Sequence, residues 1–313
     1  MSRFFCTLTN FFTFVRAGFI VIGGRIFIRY TEGDDIPLPP LRKENRYMNG
    51  IITACASGDK RLDFAAEIIS SALGKVIFPT EEAKEPICDG ILLPIPTKRY
   101  LAEKPEEFSI LLSHLKRGGY IFCSDASLSP SEFADYKITS YATDEDFMGI
   151  NTIATCEGAL SIMIAETEKT LRCSRVLITG WGRLAKCLFF MLKRLNADVG
   201  VCARSRQARA EALTLGCDCG DICDIPYMIK SSDIIVNTIP AEILKKEDVT
   251  CSLSGKLFLE LASAPYGFDR GSLSALGAKC VLAPALPSKF APESSGKALG
   301  RAVCRLYSVD NTI

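Results

Sequence analysis

Histidine is nearly absent from this chain of 313 residues, because His114 is the only one. It lies in a predicted helix that spans residues 106–116 and is capped by Gly118 and Gly119. Dehydrogenases of the 2-hydroxy-acid type usually place a histidine general base at the cleft, whereas a histidine in this helix is expected to pack or to face solvent. The scarcity of histidine therefore argues against that class of enzyme.

An excess of charge of one sign is also missing. The chain has 37 lysines and arginines against 36 aspartates and glutamates, which gives a net charge of +1. Such a chain has no strong field that would attract nucleic acid or an anionic membrane. We expect neither as a partner.

Long uncharged runs are missing as well. The apolar stretch 4–30 is interrupted by Arg16 and Arg25, so no run reaches the roughly 18 residues that a membrane span needs. We find no convincing signal-peptide cleavage site, and residues 31–49 have the proline and charge content of a linker. We expect residues 1–47 to be a disordered or non-native extension with Met48 as the initiator. A membrane-surface anchor is the alternative.

Cysteine is plentiful, with 14 residues, but it is scattered, which favours free cytosolic thiols over a disulfide framework. One cluster, Cys217-x-Cys219-x-x-x-Cys223, lacks zinc-knuckle spacing and has no histidine nearby. We predict no metal site.

The most informative stretch runs from Val176 to Arg206. A β-branched run ends at Gly180-Trp-Gly-Arg-Leu-Ala185, a helical pattern follows, and a second β-like run ends in Arg204-Ser-Arg206. Gly180 allows the tight turn, Gly182 lets a pyrophosphate approach the backbone, and Ala185 lets the helix pack close to the strand. The helix N-terminus then offers free N–H groups to the phosphates. The pattern predicts a dinucleotide-binding βαβ unit; a Rossmann-like turn without nucleotide is the alternative.

The end of the second strand indicates which nucleotide is bound. NAD sites usually carry an acidic residue there that bonds the ribose 2′-OH, but this chain has Ala203 followed by Arg204, Ser205 and Arg206. A guanidinium and a hydroxyl can hold a 2′-phosphate. We therefore favour NADP(H) over NAD(H); the other interpretation places both arginines in a solvated loop.

Strands alternating with helices on both sides of residue 150 predict two parallel sheets. The predicted fold class is α/β, with two Rossmann-like parallel-sheet domains joined by a bridging helix and a C-terminal helix that returns to the junction. Residues 151–157 are predicted to be a connector and 157–169 the bridging helix. The predicted domains are 48–150 for substrate, 151–293 for NADP and 294–313 for the C-terminal helix.

Strand ends line the ligand crevice in such sheets. The predicted cofactor-binding residues are Gly180, Trp181, Gly182, Arg183, Leu184, Ala203, Arg204, Ser205, Arg206, Thr238, Ile239, Pro240, Ala262 and Ser263.

Several stretches of the chain match the motifs of one known family. They are Asn151-Thr-Ile-Ala-Thr-Cys-Glu-Gly158, Gly180-Trp-Gly-Arg-Leu-Ala185, Cys202-Ala-Arg-Ser205, Asp233-Ile-Ile-Val-Asn-Thr-Ile-Pro240, Leu259-Glu-Leu-Ala-Ser263, Ala283-Pro-Ala-Leu-Pro287 and Ala291-Pro292, with weaker matches at Ser57-Gly-Asp-Lys-Arg61 and Ile91-Leu-Leu-Pro94. In these stretches the chain resembles the family of dipicolinate synthase A subunits, which are sporulation proteins. The resemblance covers about residues 50–307 and is densest after Asn151. The family often has a third glycine where this chain has Ala185, and it has no recognisable equivalent of residues 1–47.

The resemblance implies NADP-dependent oxidation of a dihydrodipicolinate-type ring to dipicolinate in the mother-cell cytosol, together with the flavoprotein-like B subunit of the synthase. A homo-oligomer is also compatible with it. The alternatives are a 2-hydroxy-acid-dehydrogenase-like enzyme and a non-catalytic NADP-binding scaffold for the B subunit.

The two carboxylates of such a substrate need donors and cations. The candidates are Ser57, Lys60, Arg61, Thr97 and Lys289, with Lys98 and Arg99 beside Thr97; each can equally be a surface side chain. Glu157, predicted at a helix start, is the candidate proton acceptor, and stabilisation of the helix dipole is its alternative role.

Overall fold

The computed structural model describes residues 18–22, 25–29, 51–124, 128 and 133–310. The chain divides into two compact units, residues 1–45 and 46–313. In the first, β1 (Gly18–Ile22) pairs antiparallel with β2 (Arg25–Arg29). Met48 and the rest of the predicted extension and linker lie outside the described residues, so those expectations stay predictions.

A five-stranded parallel sheet forms the first half of the second unit, in the order β4-β3-β5-β6-β7. Its elements in chain order are β3 (Ile51–Cys55), α1 (Lys60–Ala72), β4 (Gly74–Ile77), β5 (Cys88–Leu92), α2 (Thr97–Glu103), α3 (Pro105–Ser113), β6 (Leu115–Cys123) and β7 (Lys137–Ser140).

The predicted glycine cap of the helix 106–116 is wrong. Helix α3 ends at Ser113, and Gly118 and Gly119 lie inside β6. Gly118 has φ +76°, and the pairing of β5 with β6 shifts register between Cys88 and Gly90. The two glycines thus accommodate an irregularity in β6. Glycine is favoured both at such irregularities and after helices, so the sequence alone did not distinguish the two positions. Helix α2 and strand β7 have no counterpart among the predicted elements.

One long helix, α4 (Glu145–Glu166), connects the two sheets. The predicted connector at 151–157 is therefore wrong. Thr152 and Thr155 lie within this helix, and their hydroxyls donate to the carbonyls of Met148 and Asn151, each at 2.7 Å, a bond that threonine can make to the preceding helical turn. By length and composition α4 could cross a membrane, but Phe147, Cys156, Met163 and other side chains of it are buried in the protein core.

A six-stranded parallel sheet forms the second half, in the order β10-β9-β8-β11-β12-β13. This is the doubly wound order with a switch point between its first and fourth strands. Its elements in chain order are β8 (Arg175–Thr179), α5 (Arg183–Arg194), β9 (Asp198–Cys202), α6 (Arg206–Thr214), β10 (Asp218–Gly220), α7 (Ile225–Met228), β11 (Ile234–Asn237), β12 (Leu257–Glu260), α8 (Arg270–Ala275), β13 (Lys279–Leu282) and α9 (Leu286–Phe290).

The last helix, α10 (Pro292–Asp310), returns to the first sheet and packs on α1. A Cβ added at Gly296 would lie 2.4 Å from Arg61 O, and one added at Gly300 would lie 2.7 Å from Ala65 O. The two glycines therefore let the helix backbones approach closely. The predicted α/β class, with two parallel sheets, a bridging helix and a returning C-terminal helix, is confirmed, whereas the exact domain boundaries stay predictions.

Candidate nucleotide-binding site

Loops at the carboxyl ends of the two parallel sheets contact each other at two places. Arg183, after β8, pairs its Nη2 with Glu145 Oε2 at 2.7 Å at the start of α4, which follows β7. Ser288 Oγ in α9 donates to Asp59 Oδ1 at 3.1 Å in the turn after β3. Loops at carboxyl ends are where ligands bind in such sheets.

The turn between β8 and α5 has two glycines with different roles. Gly180 has φ +100°, and a Cβ there would lie 2.5 Å from Thr238 Oγ1. A Cβ on Gly182 would meet nothing within 4 Å. Gly182 is also the N-cap of α5, and no side chain caps that helix. The first N–H groups of α5 and the open space before Gly182 therefore suit an anionic group such as a pyrophosphate.

A cavity of about 980 Å³ opens beside this turn, within the usual size range of ligand sites. Seven predicted cofactor residues line it: Gly180, Trp181, Ala203, Arg204, Ser205, Ile239 and Pro240. The other seven do not line the cavity. Gly182, Arg183, Leu184, Arg206 and Thr238 are in or next to the loops that do, whereas Ala262 and Ser263 follow β12, and no residue of that loop reaches the cavity. Thr238 donates its hydroxyl to Thr179 O at 2.6 Å and so ties two strand ends together.

Trp181 forms part of the cavity wall, and its indole N–H is a buried hydrogen-bond donor. Its ring packs edge-on against Phe189 with 5.3 Å between centroids, and 9% of the residue is exposed. Its indole N–H has no hydrogen-bond partner within the part of the chain that the structure describes. An unpaired buried donor is costly, so this N–H also fits a site completed by a ligand.

Two buried polar residues, which the sequence analysis did not single out, hold the loops after β11 and β12. Asn237 Oδ1 accepts from Thr179 Oγ1 at 2.6 Å and from the N–H of Ile239 at 3.0 Å, while its Nδ2 donates to Glu260 Oε1 at 2.7 Å. Both residues end strands whose other positions are apolar. A polar residue at the end of an apolar strand was the feature of the sequence that could have identified both residues.

Glu260 is a fully buried carboxyl group. It accepts from the backbone N–H groups of Ala262 at 3.0 Å and Gly267 at 2.9 Å. Burial raises the pKa of Glu260, and the hydrogen bonds from Gly267, Asn237 and Ala262 offset this only in part. The carboxyl group thus fixes the conformation of the loop that carries Ala262 and Ser263, because it accepts hydrogen bonds from backbone N–H groups near both ends of that loop.

The loop after β9 presents its cations to solvent. Arg204 and Arg206 are exposed. Ser205 is the N-cap of α6, and its Oγ accepts from the N–H of Ala208 at 3.4 Å. Its O–H remains a donor, so Arg204 and Ser205 can both face an anionic ligand in the cavity.

Two of the predicted substrate residues are structural. The side chain of Arg61 is 3% exposed and pairs with Asp59, Nη2 to Oδ2 at 2.6 Å. Burial works to raise the pKa of Asp59, but hydrogen bonds and the charge of Arg61 outweigh it and the pKa lies below its usual range. Thr97 is buried, donates to Pro94 O and accepts from the N–H of Ser124. The expectation that Arg61 and Thr97 present free donors is corrected.

The other predicted substrate residues lie at the surface. Ser57 is exposed, and its N–H and hydroxyl both donate to Glu107 Oε1, at 2.7 and 3.0 Å. Lys60 and Lys289 are exposed and follow the two residues of the Asp59–Ser288 hydrogen bond. That bond holds the two lysine-bearing segments next to each other.

Glu157 and His114 lie away from the cavity. Glu157 is exposed in the middle of α4 rather than at a helix start, so its predicted position, and with it the helix-dipole role, is wrong. The carbonyl of His114 accepts from the N–H of Cys88 at 2.7 Å, at the amino end of β5. His114 therefore lies at the amino ends of the strands, opposite the carboxyl ends where ligands bind, so it cannot act as a base on a ligand there.

Comparison with known proteins identifies relatives of this chain. No family model matches it. The A subunit of dipicolinate synthase from Bacillus subtilis (strain 168) is 31% identical over 175 residues, which are 56% of this chain and 59% of the relative. The match thus spans about three fifths of the curated relative's length.

Solved structures share the fold over most of the chain. The dipicolinate synthase A chain from Bacillus subtilis superposes with a TM-score of 0.70 and 22% identity, covering 84% of this chain and 98% of that one. A phosphoglycerate oxidoreductase from Vibrio cholerae superposes with a TM-score of 0.56 and 12% identity, and the match covers 84% of this chain and 100% of that one. The chain therefore has the fold of Rossmann-type oxidoreductases and is related to the A subunit of dipicolinate synthase, as its motifs predicted.

Proposed function

We propose that this protein is the NADP-dependent A subunit of a dipicolinate synthase, which oxidises a dihydrodipicolinate-type dicarboxylate to dipicolinate. It would act with a flavoprotein-like B subunit in the mother-cell cytosol during sporulation. The observation that carries the proposal is the glycine turn, with open space before Gly182 and an uncapped α5 beside a cavity of about 980 Å³.

The chain's own residues have binding and positioning roles in this proposal. The N–H groups at the start of α5 would hold the pyrophosphate, and Arg204 and Ser205 the 2′-phosphate. Asn237 and Glu260 would fix the loops after β11 and β12. A bound nicotinamide ring supplies the hydride acceptor.

The substrate requires cations more than it requires a strong base. Loss of a hydride and a proton from the dihydro ring forms an aromatic ring, so water or a weak base suffices for the proton. Lys60 and Lys289 are exposed in two segments that the Asp59–Ser288 hydrogen bond joins, and they would pair with the two carboxylates. Replacing either with methionine should raise KM more than it lowers kcat. Lys75→Met, an exposed lysine in β4, is the matched control and should leave both unchanged.

Two alternatives have different outcomes in one assay. Purified protein, with and without the B subunit, receives NADP+ and freshly made dihydrodipicolinate, and the absorbance of dipicolinate and NADPH is followed. An increase in absorbance at both the dipicolinate band and the NADPH band supports the proposal. Retained NADPH binding without turnover in either sample indicates a scaffold for the B subunit. If a parallel sample with 2-hydroxy acids in place of dihydrodipicolinate forms NADPH instead, the protein is a dehydrogenase of that class, which the position of His114 disfavours.

The cofactor assignment has its own test. Arg204→Asp should weaken NADPH far more than NADH, because a carboxylate repels the 2′-phosphate and can accept from a 2′-hydroxyl. Equal loss for both nucleotides, measured by titration calorimetry, would remove the preference for NADP(H).

A further inference from the structure

A carboxylate lies at the rim where the sequence predicted cations. Asp221 follows β10 as Ala203 follows β9, and these strands pair in parallel with Cys202 opposite Gly220. The N–H of Ala203 donates to Gly220 O at 3.0 Å. Ala203, Arg204 and Asp221 all line the cavity. The acidic residue that is missing at the end of β9 is thus present on the neighbouring strand.

This carboxylate stays ionised. Burial works to raise the pKa of Asp221, but the N–H of Ile222 and the charge of Arg209 outweigh it, and the pKa lies below its usual range. An uncompensated carboxylate here would favour a ribose 2′-hydroxyl and repel a 2′-phosphate. Its charge therefore has to be cancelled by a cation if the site is to accept NADP(H).

Arg209 is that cation. Its Nη1 donates to Asp221 Oδ2 and also to the carbonyl oxygens of Ala203 at 2.6 Å and Arg204 at 2.8 Å. Its side chain is 22% exposed, less than the 37% of Asp221. Arg209 thus ties the carboxylate to the loop after β9, while the Arg204 guanidinium has no hydrogen bond or ion pair with the described residues.

We infer that the Arg209–Asp221 pair sets the choice between NADP(H) and NAD(H). By cancelling the Asp221 charge and fixing the loop carbonyls, Arg209 leaves the Arg204 side chain available for a 2′-phosphate. Arg209 is a positioning residue, and the inference rests on the nicotinamide nucleotide function proposed above.

The test compares the dissociation constants of NADPH and NADH, read from quenching of Trp181, the chain's single tryptophan. Arg209→Met should lower the preference for NADPH over NADH by about tenfold, because it frees a carboxylate within reach of the extra phosphate. Asp221→Asn should shift the preference in the opposite direction. The double variant should return close to the wild-type ratio.

The charge-matched control is Lys193→Met, since Lys193 is exposed on α5 and does not line the cavity. The ratio of its dissociation constants for NADH and NADPH should equal that of the wild type. Asp221→Asn keeps the test valid if Arg209→Met fails to fold, because its predicted shift has the opposite sign. Equal changes for both nucleotides would mean that the pair acts on the shared part of the cofactor, and would overturn the inference. A wild-type protein that binds neither nucleotide would overturn the proposed function and the inference with it, whereas tight NADPH binding with unchanged ratios would overturn the inference alone.

Discussion

Replacing the two glycines of the turn after β8 by alanine should separate folding from nucleotide binding. Gly180 has φ +100°, and its added Cβ would lie 2.5 Å from Thr238 Oγ1. Gly182 has φ −82° and ψ −172°, which any residue can adopt, and its added Cβ would meet no protein atom within 4 Å. Gly180→Ala is therefore expected to lower the stability of the fold, and Gly182→Ala to weaken nucleotide binding.

The magnitudes follow from these geometries. Gly180→Ala combines backbone strain with overpacking, so the free energy of unfolding should fall by about 2–4 kcal/mol. Gly182→Ala should change it by less than about 1 kcal/mol, since alanine is a weaker N-cap but also restricts the unfolded chain. The same methyl group would occupy the space for a pyrophosphate, and a misfit of about 1.4–2.8 kcal/mol weakens NADPH binding roughly 10- to 100-fold.

The assay pairs urea unfolding with NADPH titration, and both can follow Trp181, which lines the cavity. The wild type and Gly149→Ala serve as references, because a Cβ at Gly149 in α4 also meets nothing within 4 Å. Gly149→Ala should bind NADPH as the wild type does. If a stable Gly182→Ala protein also bound NADPH with wild-type affinity, the pyrophosphate would not lie against this turn and the site assignment would be wrong.

Three further predictions concern the scaffold. Glu260→Leu leaves the N–H groups of Ala262 and Gly267 without their acceptor, so thermal unfolding should show a loss of about 2–5 kcal/mol, with Glu260→Gln losing less; equal losses would contradict this. Gly296→Val, on the α10 surface against α1, should lower the urea midpoint by at least the equivalent of about 2 kcal/mol, and an unchanged midpoint would show that the helices separate easily. Arg305 holds the pKa of Asp144 below its usual range despite the opposing effect of burial. This ion pair therefore stabilises the fold above about pH 4 and is lost as pH falls through the lowered pKa; Arg305→Met should flatten the pH dependence of stability in that acid range, and an unaltered slope would count against the pair.

The sequence by itself determined the features that depend on neighbouring residues. The strand-turn-helix-strand unit from Arg175 to Cys202 was predictable because apolar periodicity and glycine position act over a few residues. The same holds for the alternation of strands and helices that gives two parallel sheets. The open approach at Gly182 also followed from the pattern alone.

The tertiary structure decided which polar side chains are available to a ligand. Arg61 and Thr97 have the sequence context of surface donors, but Asp59 and Ser124 engage them. Glu157 has the context of a helix start, but α4 is continuous through it.

The physical reason is that hydrogen-bond partners are chosen by strand order and register. Glu260 meets Asn237, 23 residues away in the chain, and Asp221 meets the end of β9 because β10 lies beside it. A local pattern places a polar residue at a strand end. The fold alone decides whether its charge is buried, cancelled or presented to the cleft.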